Sequence, residues 1–94
     1  MSFTQDSAET TALQVLAWLA GNDELCPLFL GASGASKGDL QAGTGDPAFL
    51  GAVLDFVMMD DEWVIACCDA CGLAYTDPMG ARHALPGGGD VHWT

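Results

Sequence analysis

Basic residues are nearly missing from this 94-residue sequence. Lys37 and Arg82 stand against 13 acidic residues, and the net charge is −11. Proteins that bind nucleic acids or anionic membranes use clustered lysine and arginine to neutralise phosphates, and two isolated cations cannot do this. The composition therefore predicts that neither nucleic acid nor a membrane surface is a partner, whereas a basic protein surface would be attracted.

Long apolar runs are missing as well. The longest run, residues 49–59, is interrupted by Asp55 and falls short of the ~18 apolar residues that span a bilayer. Residues 1–8 contain no basic residue and no apolar segment, so they do not resemble a signal peptide. We therefore expect a cytoplasmic protein in which the four cysteines are thiols or metal ligands, because a reducing cytosol disfavours disulfides.

Strand patterns are the third absence, since no segment sustains an alternation of apolar and polar residues. Apolar residues recur instead with helical spacing, between start and stop signals. The sequence predicts an all-α fold, a compact bundle of five or six helices that forms one domain at residues 7–85. An N-terminal tail (1–6) and a flexible glycine-rich C-terminal tail (86–94) would flank it. The helices are expected at about 7–20, 23–33, 36–40, 46–59, 60–71 and 76–85.

The predicted helix ends carry recognisable capping residues. Asp6 or Ser7 would cap the first helix, with Glu9 completing a capping box, and Gly21 would end it in the left-handed conformation. The pair Asp46-Pro47 would open the fourth helix as N-cap and first residue. Most acidic residues fall at such helix starts, where they accept hydrogen bonds from free backbone N–H groups. Most of the negative charge therefore serves folding.

The two halves of the sequence resemble each other, without a gap, at an offset of 38 residues, the separation between Leu16 and Leu54. Each half reads as a long helix, a capped turn, a second helix, a glycine and a short helix. The alignment indicates two pseudo-repeated three-helix units that share one core, with chance similarity between amphipathic helices as the alternative. Other aligned pairs are Val15 and Val53, Trp18 and Phe56, Gly34 and Gly72, and Asp39 and Asp77.

Three segments carry a family resemblance. They are Ala-Leu-Gln-Val-Leu-Ala-Trp-Leu-Ala (12–20) with Phe29-Leu30 and a later glycine, Asp-Pro-Ala-Phe-Leu-Gly-Ala-Val-Leu-Asp-Phe (46–56), and Cys-Asp-Ala-Cys-Gly-Leu (68–73). Together they resemble DUF3572, an alphaproteobacterial family without an established activity. The resemblance extends over about residues 8–85, and the second segment is its most specific part. It implies a small helical bacterial protein and no particular mechanism.

Cys67, Cys68 and Cys71 are spaced to share one face of the fifth helix. One interpretation is a thiolate metal site completed by Cys26 or His83, and another is a redox pair formed by Cys68 and Cys71. However, a structural zinc site usually has a second pair of ligands, and a redox cysteine usually lies at a helix N-terminus. The sequence has neither feature. We therefore favour packing of these thiols in the core, with no metal or cofactor, and keep the cysteine-based metal or redox site as the alternative.

No motif predicts catalysis. The glycine-rich segment 31–45 contains Lys37 but lacks the GxxxxGK[ST] pattern of a phosphate-binding loop, and the acidic run 60–62 lacks the spacing of a calcium loop. His83 and His92 are isolated histidines. We therefore expect that the protein is not an enzyme.

Apolar residues exceed what a small domain can bury. Three predicted helices contain one polar residue each along most of their length, so they are apolar nearly all round. A contiguous apolar patch on a small protein usually marks an interface. We therefore predict a protein-interaction or self-associating module, covered by an unknown protein partner or by a second copy in a homodimer. Its expected core and interface residues are Trp18, Phe56, Met58, Met59 and Trp63.

Overall fold

Six α-helices and one short 3-10 helix account for most of residues 4–85, the part of the chain that the computed structural model describes. No strand occurs in this part, and the bundle has a radius of gyration of 12.2 Å, so the prediction of a compact all-α bundle is confirmed. The predicted C-terminal tail lies outside the described residues. The helices are α1 (Gln5–Ala20), α2 (Leu25–Ser33), α3 (Lys37–Ala42), the 3-10 helix (Gly43–Gly45), α4 (Pro47–Val57), α5 (Asp61–Cys71) and α6 (Asp77–Ala84).

Both ends of α1 differ from the prediction. The N-cap is Thr4, whose Oγ1 accepts a hydrogen bond from the Ser7 N–H at 3.1 Å, while Ser7 Oγ accepts one from the Thr4 N–H at 2.9 Å. The capping box predicted from Asp6 or Ser7 with Glu9 is therefore wrong, and the helix begins before the predicted boundary at residue 7. Gly21 has φ −88°, so the left-handed conformation predicted for it is wrong too.

The start of α2 depends on an asparagine that the sequence did not single out. Asn22 Oδ1 accepts hydrogen bonds from the N–H groups of Glu24 at 3.0 Å and Leu25 at 2.8 Å. These bonds satisfy two free donors in the turn that leads into the helix, which begins at Leu25 and not at Asp23. Pro27 lies in the first turn, where its missing N–H removes no helical hydrogen bond.

The predicted starts of three later helices have side-chain caps. Ser36, Asp46 and Asp60 are the N-caps of α3, α4 and α5, and each side chain accepts a hydrogen bond from a backbone N–H of the first turn. Gly34 and Gly72 end α2 and α5 in the left-handed conformation, with φ values of 75° and 72°. Glycine is favoured there because a Cβ atom strains this conformation.

The core is organised around α1, which packs against α4, α5 and α6. One face of α1 is buried against these helices, with Ala12, Val15 and Leu19 among its buried residues, whereas Leu13 and Ala17 on the other side stay exposed. Helix α4 also packs against α6 and the 3-10 helix. The largest fully buried side chains come from several helices and form one core: Val15, Leu19, Phe29, Leu50, Val53, Leu54, Val57, Cys67, Cys68 and Pro78.

The offset of 38 residues recurs in the hydrogen bonds at the second helix of each half. Asn22 Oδ1 accepts from the Glu24 N–H at 3.0 Å, and Asp60 Oδ1 accepts from the Glu62 N–H at 2.8 Å. The backbone carbonyl oxygens of Asn22 and Asp60 also accept equivalent helical hydrogen bonds, each from the backbone N–H four residues later in the chain. Both turns therefore cap the next helix by the same device.

The same correspondence holds at the short third helix of each half. The Ser36 N–H donates to Asp39 Oδ2 at 2.9 Å, and the Ala74 N–H donates to Asp77 Oδ2 at 2.9 Å. Backbone bonds from the Asp39 N–H and the Asp77 N–H return to the carbonyls of Ser36 and Ala74. Caps, glycines and short helices thus follow the two three-helix units that the sequence alignment indicates.

Candidate functional site

The three cysteines of α5 face the interior to different extents. Cys67 has an exposed fraction of 0% and Cys68 of 1%, whereas Cys71 is half-buried. The Cys68 thiol donates to the Ala74 carbonyl at 3.4 Å, and the Cys71 thiol donates to the Gln14 carbonyl of α1 at 3.7 Å. These thiols therefore fill space between α5 and its neighbours.

The electrostatics of the thiols do not favour nucleophilic chemistry. Burial, with the adjacent Cys71 as a smaller cause, raises the pKa of the Cys67 thiol from its ordinary value of 9.0 to about 12. Burial and then the nearby Asp77 carboxylate also raise the pKa of Cys68. A redox nucleophile needs the opposite shift, because the thiolate is the reactive form.

The arrangement of donors does not assemble a metal site either. Within residues 4–85, no group of three or more histidine, cysteine, aspartate or glutamate side chains is placed to hold an ion. Cys26 lies buried on α2 and His83 is exposed on α6, so neither completes a ligand set with the cysteines of α5. His92 lies outside the described residues.

The five predicted interface residues occupy different environments. Phe56 belongs to the core, with an exposed fraction of 7%, while Trp18, Met58 and Trp63 are half-buried against it. Met59 is the most exposed large apolar side chain of the described residues, at 73%. Phe56 and Met59 lie together at one surface groove, and Trp63 stacks on Phe56 with ring centroids 5.0 Å apart.

That groove lies between α2 and α4 and has a volume of about 290 Å³. We call it the α2–α4 groove. The buried rings of Phe29 and Phe56, with centroids 5.3 Å apart at an interplanar angle of 69°, meet beneath it. Small side chains from the two helices stand above these rings, which are themselves buried. Its lining residues are Phe29, Ala32, Ser33, Ala52, Asp55, Phe56 and Met59.

The repeat explains why this groove is open. At the offset of 38 residues, Ser33 and Ala52 of the groove correspond to Cys71 and Gln14, and that second pair is in contact across the packed α5–α1 interface. In the groove, the Ser33 hydroxyl instead donates to the Phe29 carbonyl of its own helix at 2.7 Å. Phe29 stands where the other unit has the smaller Cys67. The corresponding positions of α2 and α4 line the open groove.

One wall of the groove carries a carboxylate in an ion pair that sequence reasoning missed. Asp55 Oδ1 accepts from the Arg82 Nε–H of α6 at 2.8 Å, and the Asp55 side chain remains 56% exposed. The guanidinium lies over Gly51, where an added Cβ would stand 2.9 Å from Arg82 Nη1. The signal in the sequence is a glycine four residues before an aspartate, which leaves room for a cation on one face of α4.

A second, smaller groove lies between α1 and α3, with a volume of about 210 Å³. Its residues Leu13, Ala17 and Thr44 correspond at the offset of 38 to the group of Gly51, Asp55 and Arg82. The long arginine therefore fills in one unit the position that a short threonine occupies in the other. Lining residues of this groove are Leu13, Leu16, Ala17, Ala20, Leu40, Gln41 and Thr44.

The fold and the groove define a small all-α domain in which one of two related helix–helix interfaces is left open. The chain belongs to the family described as protein of unknown function (DUF3572), whose family model matches residues 5–88. No curated protein and no solved structure matches it. Among the described helices, none is both long enough and apolar enough to cross a bilayer.

Proposed function

We propose that this protein is a non-catalytic protein-interaction module of the bacterial cytoplasm, and that the α2–α4 groove is its binding surface. The observation that carries the proposal is an apolar groove with aromatic rings beneath it and the 73% exposed Met59 at its edge. Exposed apolar surface of this kind is costly in water, so a protein that retains it usually covers it with a partner.

The open shape of the groove favours a protein segment over a small molecule. Small-molecule sites usually enclose most of the ligand, whereas this groove is bounded by only two helices and stays open to solvent. An amphipathic helix needs less, because it inserts a few apolar side chains spaced at i, i+3, i+4 and i+7. The groove therefore suits anchoring side chains of a helix.

The cysteines support the proposal by serving the scaffold. Cys67 and Cys68 are buried, their pKa values are raised by that burial, and the expected consequence is a thiol that is protonated at neutral pH. The fold can thus present the groove without metal or redox chemistry. We infer the cytoplasm as the compartment because the four cysteines of the described residues are unpaired thiols.

The proposal is tested by filling the groove. Ala52→Leu places a large side chain on a groove wall, and Ala70→Leu places the same side chain on the exposed surface of α5, outside the groove. Proteins captured from cells that produce this chain should be retained by wild type and by the Ala70 variant, and lost from the Ala52 variant. Equal capture by all three would contradict the proposal, provided that circular dichroism shows all three folded.

A further inference from the structure

We infer that the occupant of the α2–α4 groove is the apolar face of a cationic amphipathic helix from another protein. The inference rests on the proposed function and adds the chemistry of the partner. It follows from three features of the described residues: the shape of the groove, its relation to the packed α5–α1 interface, and the sign of the charge around it.

The shape of the groove fits a helix. Its floor is formed above the buried rings of Phe29 and Phe56, and the exposed side chains of Ala32, Ser33 and Ala52 stand on the flanking helices. Because these flanking side chains are short, an incoming backbone can approach closely while its larger apolar side chains contact the walls of the groove. Met59 at the edge adds a flexible apolar contact that adapts to different side chains.

The repeat indicates that the groove is an interface left unfilled within the chain. In the unit that contains α5, the corresponding helices pack directly, with the Cys71 thiol 3.7 Å from the Gln14 carbonyl. At the equivalent positions of α2 and α4, Ser33 and Ala52 line an open groove. The space between these two helices can therefore receive side chains from another protein.

The charge around the groove selects a cationic helix. Asp55 on the wall is 56% exposed although it binds Arg82, and the chain continues from Met59 directly into Asp60 and Asp61. The Arg82–Asp55 contact is the one ion pair found within residues 4–85, so the other carboxylates of this region have no basic partner among the residues that the structure describes. Lysine or arginine beside the apolar anchors would meet the Asp55 carboxylate at the groove, within the negative field of the chain.

The same charge disfavours a second copy as the occupant. Another copy brings a net charge of −11 to a surface of the same sign, and like charges across an interface cost free energy. Its two basic residues offer little compensation, because Arg82 is already held by Asp55, and Lys37 lies on the short helix α3. A partner with a basic polar face has no such penalty.

The test uses three synthetic amphipathic helices about 18 residues long, which share one leucine face and differ only in a lysine, glutamine or glutamate polar face. Their binding to the full chain is measured by calorimetry. The lysine peptide should bind at least about tenfold more tightly than the glutamate peptide, and this preference should shrink as salt rises from about 0.05 to 0.5 M. Ala52→Leu should weaken binding of the lysine peptide, whereas Ala70→Leu should leave the affinity for this peptide unchanged.

A matched pair of variants isolates the carboxylate on the wall. Asp55→Asn keeps an oxygen that can accept from Arg82 and removes one negative charge, while Asp23→Asn removes the same charge at the exposed start of α2. We expect Asp55→Asn to weaken binding of the lysine peptide about two- to fivefold, and Asp23→Asn to have a smaller effect on the same affinity.

The outcomes separate this inference from the proposed function. Equal affinities for all three peptides, each lost in Ala52→Leu, would leave the groove as a binding surface and overturn the cationic partner. Dimerisation of the wild type, abolished by Ala52→Leu in light-scattering measurements, would overturn it in favour of a second copy. Failure of every peptide to bind would contradict the groove itself.

Discussion

Replacement of Cys67 tests whether the buried thiols act as packing groups. Its side chain is 0% exposed inside the core, so Cys67→Ala removes one buried heavy atom and leaves a small cavity, which should cost about 1–2 kcal/mol of unfolding free energy. Cys67→Ser keeps the size but buries a hydroxyl. That costs about 1–3 kcal/mol unless the hydroxyl binds the carbonyl one turn earlier, which would bring the cost to the lower end. A domain of this size has about 5–15 kcal/mol in total.

The assay is urea unfolding followed by tryptophan fluorescence, with helicity as a second probe of two-state behaviour. The control is Cys71→Ser at the half-buried end of the same helix, where a hydroxyl retains access to water and should cost about 0.5 kcal/mol or less. The reasoning would be refuted if Cys67→Ser were as stable as wild type. It would also be refuted if a chelator destabilised wild type and spared the Cys67 variants, because that pattern indicates a metal ligand.

Three further predictions concern titration and backbone conformation. Because folding raises the pKa of Cys67 from 9.0 to about 12, the folded state holds this proton more tightly than the unfolded state does. The free energy of unfolding of the wild type should therefore fall as pH rises from about 9 towards 12. In urea titrations, Cys67→Ala should lose less unfolding free energy than the wild type over the same pH range. The hydrogen bond to Asp69 raises the pKa of Tyr75 above its ordinary 10.0, so phenolate absorbance should appear at lower pH in Asp69→Asn; coincident titrations would contradict this contact. Gly34→Ala should cost about 1–2 kcal/mol because Gly34 has φ 75°, whereas Gly31→Ala, a helical position with open space for a Cβ, should gain about 0.5–1 kcal/mol; thermal unfolding that reverses this order would refute the assignment.

Local signals in the sequence predicted most of the fold. Asp46-Pro47, Ser36, Gly34 and Gly72 determine where helices begin or end, and each acts through a bond or a conformation of its own few residues. Such effects can be read without knowing what the helix packs against. The errors at Thr4 and Gly21 have the same local origin, since several residues near each end could serve as caps and the sequence does not rank them.

The groove and its charged wall could not be predicted in the same way, because both depend on residues that are distant in sequence. Asp55 and Arg82 meet only once α6 packs on α4, and the space for the guanidinium exists because position 51 has no Cβ. The open groove is recognised by comparing two interfaces, one that contains the Phe29 ring and another that contains the Cys67 thiol. These two positions are 38 residues apart, but their difference in volume gained meaning only when α5 was found packed on α1 and an open groove was found between α2 and α4. The two units thus share the hydrogen bonds at the starts of their second and third helices, while the interface that contains Phe29 keeps an unfilled face.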